Sequence, residues 1–336
     1  MRVRESVRSA DQAVPRTSGL AYRPMIPVAP SYRMLAVRIV RVALVLLALG
    51  SVFGPESVGA EWQELPVVPV LGPVVASHLE KVVSRGERLG NRPGVVAKVG
   101  DSITASPSFL QGLACWPAEL GPYEELRGTL GFFGRTPVPS GSEEAQCPVS
   151  NSYSHLGVAA VGGWHAADAL LPRESLPECQ GLPAVSCELA LLHPSVALIM
   201  FGTNDLTAIS ATRFRLDLAR VARRVSSAGT IPVISTIPPR ATQPFSQRVA
   251  RFNAEIAALA ENRALPLWNY WRQMIEPGVP NGGLSLDGVH PSVLCPPCTA
   301  IDFWPAGLRQ GYALRNLGAL LVLDRLRRQV PLVEGP

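Results

Sequence analysis

Val95-Val96-Ala97-Lys98-Val99-Gly100-Asp101-Ser102 decides the fold. A short β-branched run that ends on glycine reads as a buried strand delivering a turn. A second run, Val196-Ala197-Leu198-Ile199-Met200-Phe201, ends on Gly202 and hands over to Thr203-Asn204-Asp205 in the same way. Further strands are predicted at Leu156–Val161, Ile231–Thr236 and Leu265–Trp268. Between them Phe214, Leu218, Val221 and Val225, then Val249, Phe252, Ile256 and Leu259, recur at helical spacing as packing faces. Strands alternating with helices imply α/β architecture with a parallel sheet, whose ligands bind where the strands end. Leu308 to Arg328 reads as a closing helix, apolar on one side, with its arginines on a solvated face.

The chain has 336 residues and no internal repeat or low-complexity linker. Arg38 and Arg41 precede an apolar run from Val42 to Phe53, too short to span a bilayer comfortably, and Val58-Gly59-Ala60 follows. Basic residues, a short apolar core and small residues before Glu61 predict a secretory signal peptide and leader over 1–60, cleaved after Ala60. One domain over 61–336 is then expected outside the cytoplasm, secreted or in the periplasm or cell envelope, with no stable membrane span. Met34 is an alternative start to Met1. Residues 1–60 carry eight of the 31 basic and three of the 26 acidic residues, so the formal charge of +5 falls to balance, 23 of each, without them. A neutral chain gives no reason to expect a nucleic-acid partner.

Six cysteines, at 115, 147, 179, 187, 295 and 298, in an exported chain suggest disulfides. Proximity favours Cys115 with Cys147, Cys179 with Cys187, and Cys295 with Cys298. The Cys295-Pro296-Pro297-Cys298 motif sits in a Pro-rich loop without a strand-then-helix setting, so a structural clip is expected over a redox pair. No His-Glu-x-x-His occurs and the five histidines are scattered, so neither metal nor organic cofactor is expected.

Acyl-ester chemistry needs a hydroxyl nucleophile, a base, an orienter for the base and donors for an oxyanion. Ser102 supplies the hydroxyl at the first strand end. His290 and Asp287 stand three residues apart in a turn-rich stretch, Pro280-Asn281-Gly282-Gly283 before and Pro291 after, where the carboxylate can reach the imidazole locally. Asn204 and nearby glycine N–H groups are the oxyanion donors. No Gly-x-Ser-x-Gly elbow occurs, which argues against the α/β-hydrolase type.

In these residues the chain resembles the SGNH or GDSL hydrolases. Gly100-Asp101-Ser102-Ile103 resembles the first block, with Ile where Leu is frequent. Ala159-Ala160-Val161-Gly162-Gly163-Trp164-His165-Ala166-Ala167-Asp168 is similar to the second, Phe201-Gly202-Thr203-Asn204-Asp205 to the third, and Asp287-x-x-His290-Pro291-Ser292 to the fifth. The resemblance implies a three-layer α/β/α, flavodoxin-like sandwich of about five parallel strands. It also implies Ser102 as nucleophile, Asp287 and His290 as the catalytic pair, and Gly163, rather than Gly162, with Asn204 as the oxyanion hole; Asp205 orders its turn. Substrates across the family include O-acetylated carbohydrates and lipids. A small-molecule or glycan ester with a short acyl group is expected here, with lipase-like activity or a non-catalytic glycan-binding module as alternatives. The long Ser102–Gly163 connection, with Trp116, Tyr123, Phe132 and Phe133, either shapes the substrate site or is a disulfide-tied excursion. Trp164 either walls a pocket or packs, and His165 is structural.

Overall fold

The computed structural model describes residues 61–139, 150–276, 278–294 and 298–332. The expected leader, Cys147 and Cys295 lie outside the described residues. Four parallel strands run in the order β1 (Arg92–Gly100), β2 (Pro194–Met200), β3 (Ile231–Ser235) and β4 (Leu267–Trp268). In register, Val96 pairs with Val196 and Gly100 with Met200. Val196 pairs in turn with Ile231. Every residue of β2 and β3 is buried, which is why these strands read as continuous apolar runs rather than as alternations.

Among the described residues four strands are regular, against the about five expected. The segment 156–161 pairs with β1 through an isolated parallel bridge between Gly100 and Ala160 rather than through a ladder. Ala159 O and Val161 N–H bond to Gly100, but the neighbouring amides have other partners: Val158 N–H donates to Glu188 Oε2 at 2.7 Å and Ala160 N–H to Gly157 O at 3.2 Å. Gly157 also lies so close to β1 that a Cβ there would stand 2.8 Å from Lys98 O. Counting the bridge as a strand position gives the order 2-1-3-4-5. The chain therefore reverses at β1, and that switch point is where open α/β sheets bind ligands.

Helices α1 (Pro73–Arg88), α2 (Arg127–Gly134), α3 (Ala184–Leu192), α4 (Ala211–Ser227), α5 (Phe245–Arg263) and α6 (Gly311–Gln329) flank the sheet in an α/β/α arrangement. The Ser210 hydroxyl caps α4 by accepting from Arg213 N–H, and Phe214, Leu218, Val221 and Val225 are its buried face. Phe214 stacks on Phe252 of α5 with centroids 4.9 Å apart. The closing helix departs from expectation. Thirteen of its 19 residues are buried, Arg315 among them, because loops and short helices from three parts of the chain cover it on most sides.

Cys179 and Cys187 form the expected disulfide across α3's N-terminal approach. Cys115 is also disulfide-bonded. Trp116 is exposed, while Phe109, Leu126, Phe133 and Tyr153 of the long excursion join the core.

A tight contact in the sheet's flank joins Gly86 of α1 to Gly229, where a Cβ on Gly229 would meet Gly86 Cα at 2.3 Å. Gly229 has φ +73°. Gly229→Ala should therefore combine left-handed strain with overpacking and cost about 3 kcal/mol. Urea unfolding of the variant beside the parent protein measures this, and a midpoint shift equivalent to less than about 1 kcal/mol would contradict it.

Candidate active site

Ser102 lies two residues past the last residue of β1 and opens a one-turn helix, Ser102–Ala105, capped by Asp101, whose Oδ1 accepts from Ile103 N–H at 3.0 Å. Gly100 is required there, since a Cβ would meet Thr104 Oγ1 at 2.4 Å and Met200 O at 2.5 Å. The hydroxyl of Ser102 stands 2.9 Å from His290 Nε2. His290 Nδ1 stands 2.6 Å from Asp287 Oδ2. These three predicted residues form one continuous relay, with the imidazole in the middle.

The His290 segment has no regular secondary structure, so its shape comes from side-chain capping. Asp287 Oδ1 accepts from Ser285 Oγ at 2.6 Å, Val289 N–H at 2.9 Å and His290 N–H at 3.0 Å. Gly288 allows the turn with φ +67°. Partial burial alone would raise the Asp287 pKa, but hydrogen bonds from Ser285, His290 and Val289 outweigh it and hold the carboxyl well below its usual range. An ionised Asp287 keeps Nδ1 protonated, which leaves Nε2 to accept a proton from Ser102.

The other predicted residues approach from two neighbouring turns. Val161 N–H donates to Gly100 O, and Gly162 lies against Ser102, a Cβ on it being 3.8 Å from Ser102 Cβ. Gly163 has φ +81°, which only glycine adopts without strain. The Asn204 amide donates to Trp164 O at 3.0 Å, tying this turn to the one after β2 while using one of its two hydrogens. Asp205 orders both turns by accepting from Ala166 N–H at 3.1 and 3.3 Å. Trp164 packs under Arg173, whose guanidinium is 5.1 Å from its ring, and His165 pairs with Asp168 at 3.3 Å.

Ser102 and His290 open on a cleft of about 530 Å³, also lined by Ser106, Pro107, Ser108, Ser285, Pro291, Val293 and Tyr312. Tyr312 carries no motif and could not be picked out from its helix. A separate apolar groove of about 370 Å³ between Trp62–Val70 and α5 contains no group suited to acyl transfer. Arg240 was also missed: its guanidinium carbon lies 5.7 Å from the Phe245 ring, within electrostatic reach of Asp287 and Asp101.

Residues 99–294 match the model of the GDSL-like Lipase/Acylhydrolase family. The chain belongs to that family. As a GDSL-like acylhydrolase it is an ester hydrolase, and the matched span holds all five predicted site residues. Three solved structures are similar. A GDSL-like lipase from Bacteroides thetaiotaomicron is 17% identical, with 75% of this chain and 98% of that one covered at a TM-score of 0.42. A lipase/acylhydrolase from Enterococcus faecalis is 19% identical, with 71% and 98% covered at 0.42. An acetyl esterase, solved as its S10A mutant with acetate, is 16% identical, with 69% and 98% covered at 0.45. No curated protein matches the chain.

Asp101 behaves oppositely to Asp287. It is wholly buried, and burial pushes its carboxyl up to about 6 despite the Ile103 N–H and the nearby Arg315 charge. Between its ordinary value of 3.8 and about 6 the folded state holds the proton more tightly than the unfolded chain, so stability falls as pH rises through that window. Asp101→Asn carries no such penalty. Relative to the parent its stability should rise by on the order of 3 kcal/mol between pH 3.5 and pH 7. Urea midpoints at both pH values measure the change, and an unchanged difference would contradict it.

Proposed function

We propose that this GDSL-like ester hydrolase acts outside the cytoplasm as a serine esterase that removes short acyl groups from carbohydrate. The observation that carries the catalytic reading is the relay from Ser102 Oγ through His290 to Asp287, 2.9 and 2.6 Å. Ser102 attacks the ester carbonyl while His290 Nε2 takes its proton. The imidazolium so formed is stabilised by Asp287 and returns the proton to the leaving alcohol. Gly163 N–H and the remaining Asn204 amide hydrogen hold the oxyanion. Water, deprotonated by His290, then releases the acid from Ser102.

The carbohydrate reading is supported by an open cleft whose lining includes the small polar residues Ser106, Ser108 and Ser285. A second reading, lipase-like hydrolysis of longer acyl esters, is favoured by Pro107, Pro291 and Val293 in the same cleft and by the exposed Leu286 and Leu294 beside it. Export is supported by the basic, apolar and small-residue sequence of 1–60. Among the described residues no helix is long and apolar enough to cross a membrane.

Ser102→Ala should abolish hydrolysis of p-nitrophenyl acetate, and Asn204→Ala should lower kcat by about 10²–10³ through loss of one oxyanion donor. Equal rates from the parent and Ser102→Ala would overturn the esterase reading. Release of acetate from acetylated glycans, with rates falling as p-nitrophenyl ester chains lengthen, is expected; rates that rise with chain length, as burial worth about 0.8 kcal/mol per CH₂ would give, would favour the lipase reading.

Export carries its own expectation: N-terminal sequencing of protein recovered outside the cytoplasm should begin at Glu61. Recovery of uncleaved protein from the cytoplasm alone would refute it.

A further inference from the structure

Arg315, on the second turn of α6, is 1% exposed. Its partners are not carboxylates: Nη2 donates to Thr104 Oγ1 at 3.1 Å and Nη1 to Met200 Sδ at 2.9 Å. Its guanidinium carbon stands 4.3 Å from the Phe109 ring centroid and 5.1 Å from those of Trp268 and Tyr270. Three ring faces offset part of the cost of burying a cation. A leucine or methionine would fill such a site with no charge to desolvate.

What distinguishes this position is what it touches. Thr104 belongs to the turn that begins at Ser102, and Met200 is the last residue of β2, just before the Asn204 turn. The neighbouring Asn316 accepts from Leu110 N–H and donates to Ser108 O and Ala300 O, holding the cleft wall. One turn earlier, Gly311 N–H donates to Ser292 Oγ and Tyr312 N–H to Ser292 O, both at 3.0 Å, which fixes the segment leaving His290. Four residues within one six-residue stretch of the helix, Gly311, Tyr312, Arg315 and Asn316, therefore reach the nucleophile turn, the strand end before Asn204, the cleft wall and the segment after His290.

We propose that Arg315 is a positioning residue for ester hydrolysis, its buried guanidinium clamping the Ser102 turn and the end of β2 to α6 while facing Asp101 with a positive charge. It acts through Thr104, Met200 and Asp101 and touches no substrate. The inference rests on the serine esterase reading and extends it to a residue beyond the 99–294 family match. Asp101 is also faced by His290, Asp205, Arg240 and Tyr312, so Arg315 is one of two arginines near it and the one on α6.

The test is Arg315→Met beside Arg315→Lys, assayed on p-nitrophenyl acetate across pH with melting temperature in parallel. A merely structural arginine predicts a methionine variant of equal or greater stability and unchanged kcat. Positioning predicts a folded methionine variant with kcat lowered about tenfold or more and KM within about twofold. The acid limb of its kcat/KM profile should move to higher pH, since Asp101 then gains its proton more readily and weakens as the Ile103 cap; Arg315→Lys, which keeps the charge, should leave that limb in place. A folded Arg315→Met with the parent's kcat overturns the proposal. Should that variant not fold, Thr104→Val removes the acceptor alone, and an unchanged kcat there overturns it equally. Parent protein that neither hydrolyses esters nor is labelled at Ser102 by a fluorophosphonate refutes the esterase reading itself, a result distinct from either failure.

Discussion

A single hydrogen bond, 2.9 Å between Ser102 Oγ and His290 Nε2, joins segments 188 residues apart, and the candidate chemistry depends on keeping it short. The two ends are supported very differently. Ser102 stands just beyond the end of β1, whose neighbour β2 is buried along its whole length, so its backbone has little freedom. His290 stands on a loop without strand or helix, and only local contacts shape it. A bridge between Leu284 and Pro291, the Asp287 caps and the bonds to Ser292 from α6 do what a sheet does for Ser102. Rigidity on one side comes from the sheet, and on the other from a helix start pressed against a turn.

Two carboxylates near Ser102 have been driven apart by their surroundings. Asp287 is partly exposed and accepts four hydrogen bonds, so it stays ionised. Asp101 is sealed from water and has one backbone donor, leaving its Oδ2 without a partner among the described residues. Similar side chains a few ångströms from the same relay therefore carry different charge states at mildly acidic pH. The first can stabilise an imidazolium; the second caps the turn that begins at Ser102 and is held towards its neutral form.

Much of this was legible in the sequence because it rests on local rules. β-Branched runs ending in glycine located β1 and β2, and a carboxylate three residues before a histidine in a turn located the Asp287–His290 pair. What was missed depends on distant partners. The 156–161 run has strand composition, yet Glu188, 30 residues onward, takes the Val158 amide that a ladder would have used. The α6 arginines looked solvated because helical periodicity says nothing about how many sides of a helix are covered. Arg315 proved to be enclosed by Phe109, Trp268 and Tyr270, none near it in sequence. Tyr312 and Arg240 belong to no motif, and only folding brings them to the rim.

The family match ends at residue 294, while the helix that holds Ser292, Thr104 and Asn316's partners begins at Gly311. The unit recognisable by motif is thus shorter than the unit that can set distances. A fragment trimmed to the matched span would possess every residue of the relay, both oxyanion candidates and the Asp287 caps, but would lose the contacts of α6 with Ser292, Thr104 and Met200. In this chain the relay residues lie inside the matched span, while the backbone donors that hold Ser292, two residues after His290, lie outside it on Gly311 and Tyr312.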